Sequence, residues 1–480
     1  MRAKQAPGTQ EDRFAAYMNG LAQAAGHTDR EEPIKAYCKG LLLPGERKSV
    51  EPMAARVDPL RASAAHQSLH HFVAMAEWSD AALLTAVRDQ VLPKVGAIEA
   101  WIVDDTGFPK KGKHSVGVAR QYCGQLGKQD NCQVAVRLSV ANSAASLPIA
   151  YRLYLPKEWA EDPARRTTAG VPAGVGFRTK PMIALDQIEA ALSAGVAPGV
   201  VLADAGYGAD MKFQARLLQL GVDYVVGVQP TATVWPDGIE PLPPKIWSGR
   251  GRPPTRRRRA PEHRPLSVEK LARELPAEAW RDVAWREGVK GVLSSRFAAL
   301  RMRPAHRDED RHEPWALLWL LVEWPAEDEA PAKFWFANLA SDTPLERLVH
   351  LAKLRWRIER DYQELKQELG LGHYEGRGWR GFHHHATLCI AAYGFLVTER
   401  LATFPSSDGR SGADQLRPTL PPLPEGFAPR GSPRKGRAPR RQLDRFQASR
   451  DCGPPRPTLA SMSMLLTAVG YRTLHQFMTQ

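Results

Sequence analysis

Apolar side chains in the first 95 residues recur every three or four positions. They do so around Tyr17–Leu21, from Ile34 to Leu42, from Leu69 to Met75 and from Trp78 to Val87, and this spacing predicts helices. Ser79 or Asp80 can cap the last of them. From Ala100 the period changes. Ala100-Trp-Ile-Val is a short apolar run closed by Asp104 and Asp105. Further on, Val134, Val136, Leu138 and Val140 alternate with Gln133, Ala135, Arg137, Ser139 and Ala141, as in a half-buried strand. Val116/Val118 and Ile149–Leu155 read as neighbouring strands. A helix over 180–194, a strand over 200–204, a helix over 211–220 and a strand over 224–228 complete the order β-β-β-α-β-α-β. That order predicts a mixed sheet with helices on its faces.

The rhythm stops at Gln229. Gly249–Arg259 is a basic loop, followed by strand-like segments at 282–289, 292–302, 316–322 and 334–339, which together suggest an antiparallel insertion over 229–340. A long helix then starts at Thr343-Pro344-Leu345-Glu346, with Thr343 expected as N-cap and Glu346 as its capping-box partner. Residues 401–457 are rich in Pro, Gly, Ser and Arg and are expected to be mobile, whereas 458–480 regains helical spacing. The expected division is therefore 1–95, helical; 96–228 with 341–400, α/β; 229–340, inserted and β-rich; 401–457, a flexible basic segment; and 458–480, a terminal helix.

Composition narrows the class. With 66 Lys+Arg against 52 Asp+Glu, the 480-residue chain carries a formal charge of +14, which favours a polyanionic partner. A membrane is not the expected partner: the longest apolar run, Trp315–Val322, falls far short of the roughly 20 residues a spanning helix needs. The N-terminus has no apolar stretch of a secretory signal. Five widely spaced cysteines without a CxxC pair argue against a disulfide framework and against zinc at Cys123 and Cys132. A cytoplasmic, nucleic-acid-binding protein is expected.

Candidate chemistry lies in three acidic positions. Asp105, with Asp104 beside it, closes the first α/β strand, and Asp204 closes the strand after the first helix. Functional groups collect at such carboxyl ends. Facing carboxylates supply hard oxygen ligands for a divalent ion. The third acid, Glu359, lies on the long helix. At about 100° per residue, Arg355, Glu359 and Lys366 share one polar stripe, next to an apolar stripe of Leu351, Leu354, Ile358, Leu365 and Leu369.

Asp-Asp105-Thr, Leu-Ala-Asp204-Ala-Gly-Tyr-Gly and Arg355-x3-Glu359-x6-Lys366 resemble the DDE transposases of bacterial insertion sequences. More narrowly, they are similar to the branch with a β-rich insertion between the second Asp and the Glu. The separations of 99 residues (105 to 204) and 155 residues (204 to 359) fit that branch. The resemblance implies a ribonuclease H-like fold preceded by a helical DNA-binding region, with Asp105, Asp204 and Glu359 as catalytic and metal-binding triad. Asp104 is the alternative to Asp105, which is preferred because it directly precedes Thr106. Where that branch usually carries a Tyr three residues before the Arg, this chain has Ala352.

The activity implied is transposition. The chain would bind terminal inverted repeats and carry out strand cleavage and strand transfer with two Mg2+ ions per active site, Mn2+ substituting. Its partners would be the transposon ends and target DNA, and it would act as a homodimer bridging two ends. An inactive DNA-binding derivative and a ribonuclease H-like nuclease without strand transfer are the alternatives. Arg355 and Lys366 become phosphate contacts. Further DNA-binding candidates are Arg357, Lys110, Lys111, Trp379, Arg380, Arg47, Lys48, Arg256, Arg257, Arg258 and Arg259. His383-His384-His385 could touch DNA or sit by the metals, or simply stack at a helix start.

Overall fold

In the computed structural model, residues 9–288, 291–308 and 313–403 are described. The basic segment beyond Thr403 and the 458–480 helix expected from the sequence lie outside the described residues. Among the described residues, twelve strands form one sheet: β1 (Ala100–Pro109), β2 (Ala119–Cys123), β3 (Lys128–Ala141), β4 (Ser146–Leu153), β5 (Val200–Ala203), β6 (Tyr224–Val228), β7 (Thr233–Pro236), β8 (Leu266–Ser267), β9 (Arg281–Gly288), β10 (Gly291–Pro304), β11 (Leu318–Glu323) and β12 (Lys333–Ala337). Their order is β2-β3-β1-β5-β6-β12-β11-β10-β7-β8, with β4 on β3 and β9 on β10. β1 runs parallel to β5, and β5 parallel to β6; the other pairs are antiparallel. This is the mixed sheet expected. The strands between 229 and 340 extend it past β6 through β12.

Alternation along the central strands divides the core into two. Trp101, Val103, Val201, Ala203, Tyr224 and Val226 face one side. Ala100, Ile102, Leu202 and Val225 face the other, where they meet Leu345, Leu348, Leu351, Leu354 and Ile358. All five members of the expected apolar stripe are buried, from Leu351 at 0% to Leu354 at 4% exposure.

Several local expectations shift. β1 does not end at Asp105: Asp104 through Pro109 pair with Arg137 through Cys132 of β3. β3 is buried on both faces from Cys132 onward, since helices cover both sides of the sheet, so its period of two does not mark a solvent face. Val116 and Val118 precede β2 rather than form a strand. The long helix starts at Leu345 after Pro344, and Thr343 makes no cap. It also breaks. Leu345–Leu354 ends at a tight turn in which Ile358 N and Glu359 N donate to Arg355 O and Trp356 O. A short helix, Arg357–Gln363, follows and widens into a π-type turn at Glu364–Glu368.

The helix Trp379–Thr403 is buried from Trp379 to Glu399 except at Arg380, and the N-terminal helices pack around it. Tyr17 Oη donates to Ala391 O at 2.9 Å, Tyr37 Oη meets His385 Nδ1 at 2.9 Å, and Arg13 forms an ion pair with Glu399. Among the described residues no helix is long and apolar enough to cross a membrane. The four described cysteines are free and buried.

Gly208 closes the Asp204-Ala-Gly-Tyr-Gly turn against β6. A Cβ there would lie 1.8 Å from Gly227 O, a backbone atom that cannot swing aside. Gly208→Ala should therefore cost about 1–3 kcal/mol, as overpacking does, read as a lowered midpoint in urea unfolding.

Candidate active site

β1 sets the geometry. Successive side chains of a strand leave opposite faces, so Asp104 and Asp105 part company. Asp104 points with Ile102 toward the Leu345–Ile358 side, and its carboxylate lies 3.1 Å from Arg355 Nη2. Asp105 points the other way and forms an ion pair with Lys180. Asp204 follows β5 as the N-cap of the short helix Ala205–Gly208. One of its oxygens accepts from Gly206 N at 2.9 Å and Tyr207 N at 3.3 Å. Its other oxygen lies 3.8 Å from Arg355 Nη2. A cap and a site ligand are thus compatible roles for one carboxylate.

Arg355 occupies the tight turn between the two helix segments, and its guanidinium bridges Asp104 and Asp204. Burial alone would lower its proton affinity, but Asp104, Asp204 and Glu359 together hold it above the ordinary guanidinium value. Asp104 behaves oppositely. Burial, reinforced by Asp204 and Asp105, pushes its carboxyl up to about 6 despite the opposing pull of Arg355. Glu359 is exposed, one helical turn after Arg355, within its electrostatic reach.

Asp104, Asp204 and Glu359 all act on Arg355, and the charge of Arg137 also reaches Asp104. Among the described residues, no three Asp, Glu, His or Cys side chains converge as a ready-made metal cluster, and Arg355 lies between the two aspartates. The all-oxygen donors nevertheless suit a hard divalent cation. Tyr207 Oη, Tyr362 Oη and Arg355 Nε are buried polar atoms without a hydrogen-bond partner. Both phenols are near enough to Asp104 to be shifted upward, chiefly by burial and then by acidic neighbours and, for Tyr362, against the pull of Arg137. Two aspartates sharing one guanidinium, with orphaned polar atoms beside them, fit a site that receives a cation and a polar substrate.

The other sequence candidates divide. Lys366 lies on the π-type turn, and its ammonium reaches Gly107 O at 3.1 Å, over Phe108. Burial lowers its pKa to about 8. Lys110 donates to Tyr374 O at 2.9 Å, and Lys111 is exposed beside it. Arg357 is buried and stacks on Trp356. Arg258 donates to Pro243 O, and Arg259 to Ala305 O and the buried Asp308. Arg256 is exposed and Arg257 half-buried in the same loop.

Four further DNA-contact candidates are engaged within the chain. Lys48 is buried and donates to the carbonyls of Leu41 and Leu43, closing the end of the helix Glu31–Leu42. Arg47 is paired with Glu375. Arg380 is tied to Met75 O and Glu77, and Trp379 is buried against His383, with ring centroids 4.3 Å apart. The three histidines do neither of the things that would make them a site. His383 accepts from Leu153 N, His384 stacks on Trp78 at 3.6 Å, and His385 joins Tyr37 to Gly370 O. Burial lowers all three, His384 and His385 to about 4, so they are neutral at physiological pH.

Sequence reasoning missed Arg137, Lys180, Tyr207 and Tyr362. Arg137 carried a signal: it is the one charge in the Val134–Val140 run, and it stands opposite Asp104 in the β1–β3 register.

Strand-borne and cap-borne aspartates on a mixed sheet, with a glutamate helix above them, define a class. A family model described as DDE superfamily endonuclease matches residues 20–292, and the chain belongs to that family. A probable transposase for insertion sequence element IS701 from Microchaete diplosiphon is 34% identical over 165 residues, a stretch covering 34% of this chain and 40% of that relative. The family match contains Asp104 and Asp204 and stops before Glu359.

Trp379→Ala should act through the core. It should cost about 3–5 kcal/mol of stability, as loss of a buried Trp does, while DNA affinity measured on the folded fraction stays at the wild-type value.

Proposed function

We propose that the chain is the DNA transposase of an insertion sequence. It binds terminal inverted repeats, cleaves at the element's ends and joins the freed 3′ ends to target DNA. The likeness to the probable IS701 transposase supports this reading. The observation that carries it is the guanidinium of Arg355 held between Asp104 and Asp204, one helical turn before Glu359. Asp104, Asp204 and Glu359 are the proposed metal-holding residues. Asp104 takes the place that the sequence motif gave to Asp105, because only Asp104 shares a sheet face with the glutamate helix.

A divalent cation bound there, Mg2+ with Mn2+ as substitute, would activate the attacking oxygen and stabilise the leaving 3′-oxygen. The protein's own groups do the rest. Arg355 screens the paired acids and presents a planar cation to a scissile phosphate. Lys366 and Lys111 line the continuation of β1 beyond the acids, where the DNA backbone would run, and the Arg256–Arg259 loop adds sequence-independent attraction. Two ends each need an active site, so a homodimer bridging them is the proposed assembly.

The test is a cleavage and strand-transfer assay on DNA bearing the element's own inverted repeats, with Mg2+ or Mn2+. Nicked and joined products are expected. Nicking without joining of pre-cut ends would reduce the protein to a nuclease, and binding without nicking would make it an inactive derivative. Asp104→Asn and Asp204→Ala should each lower cleavage by at least about three orders of magnitude with end binding retained. Asp105→Asn should keep cleavage and lose at most about 1 kcal/mol of stability, the scale of a partly exposed ion pair.

Metal binding should also depend on pH. Because the Asp104 carboxyl holds its proton up to about pH 6, an incoming cation must displace that proton at lower pH. Mn2+ affinity measured by calorimetry should therefore fall by about tenfold per unit below pH 6 and level off above it.

A further inference from the structure

Arg137 is 0% exposed, in the middle of β3, and stands opposite Asp104, so the two side chains share a face of the sheet. Its Nη2 donates to Ile358 O at 2.9 Å. Its guanidinium carbon lies 3.5 Å from the centre of the Tyr362 ring, and Asp361 Oδ2 is 3.9 Å away. These three residues bracket Glu359: one precedes it, and the others follow it by two and three positions. The helix that carries them has only seven residues, between a tight turn and a π-type turn. So short a helix has little stability of its own and takes its position from what it rests upon.

Stability alone explains Arg137 poorly. Burying a guanidinium is expensive unless its donors are satisfied, yet Nε and Nη1 have no hydrogen-bond partner and Asp361 Oδ2 has none either. Asp361 is already engaged through its other oxygen by Ser146 Oγ at 2.5 Å and Tyr393 Oη at 2.9 Å.

We propose that Arg137 is a positioning residue. By gripping Ile358 O and the Tyr362 ring from beneath, it fixes the turn that carries Glu359 relative to Asp104 and Asp204. The inference rests on the transposase reading and deepens it, since Glu359 needs placement only if it acts together with the aspartates. A displacement of the order of 1 Å in such a group costs about a hundredfold in rate.

Arg137→Met keeps the stem and removes the fork; Arg137→Lys keeps the charge. Both are compared with wild type for melting, end-DNA affinity, cleavage rate at saturating DNA, and the Mn2+ concentration giving half-maximal rate. Arg137→Met should bind DNA within about threefold of wild type, lose about a hundredfold in rate and need more Mn2+, with Arg137→Lys regaining part of both. Cleavage by Arg137→Met within about threefold of wild type, or a loss no larger than its loss of folded protein at the assay temperature, would overturn the proposal. If Arg137→Met does not fold, Arg137→Lys decides: slowed cleavage at unchanged DNA affinity supports the role, and wild-type cleavage removes it. A wild-type chain that cleaves nothing would sink the transposase reading itself, and this inference with it.

Discussion

An extended chain cannot present two successive carboxylates to the same neighbour, and much of the site follows from that constraint on β1. Asp104 is delivered to the face roofed by Leu345–Ile358, and Asp105 to the face where Lys180 neutralises it. The roof can lie close because its apolar stripe is buried against Ile102, Leu202 and Val225. Arg355 then sits where the stripe is interrupted and finds Asp104 and Asp204 within reach. The hydrophobic packing of one helix thus decides which of two adjacent aspartates meets Arg355.

The site is assembled at an electrostatic cost. Asp104 is buried among other acids, and its carboxyl is raised in consequence. Such a group is stabilised by a guanidinium or a metal ion, and the chain supplies the first within its own sequence. The same logic extends below the roof, where Arg137, Asp361, Ser146, Tyr393, Glu364 and Arg400 form a buried polar layer under the glutamate helix. Incomplete satisfaction in that layer, as at Arg137, marks a place where position outranks stability.

Basic and aromatic residues near a suspected nucleic-acid site are easily credited with contacting it. Here Arg380, His384 and His385 join the Trp379–Thr403 helix to the N-terminal helices through carbonyl oxygens, a hydroxyl and ring stacking, while Lys48 closes the end of the helix Glu31–Leu42. A Lys or His beside a buried helix end finds unpaired carbonyls there. Such a residue in the sequence is indistinguishable from one that meets phosphate.

The sequence by itself determined the mixed sheet, the helical first fifth, the apolar stripe from Leu351 to Leu369 and the three acidic loci, because these are written in local periodicity and in spacing. It also exposed Asp104 and Asp105 as rivals. Tertiary structure alone set them on opposite faces of β1, extended that strand past both, broke the long helix at Arg355–Trp356 and turned Lys366 toward Gly107 O. Those outcomes depend on what lies across the sheet: β3 as a pairing partner, Lys180 on one face, Arg355 and Arg137 on the other. Local pattern records which way a side chain points relative to its neighbours in the chain. Only the packed fold specifies what it meets there.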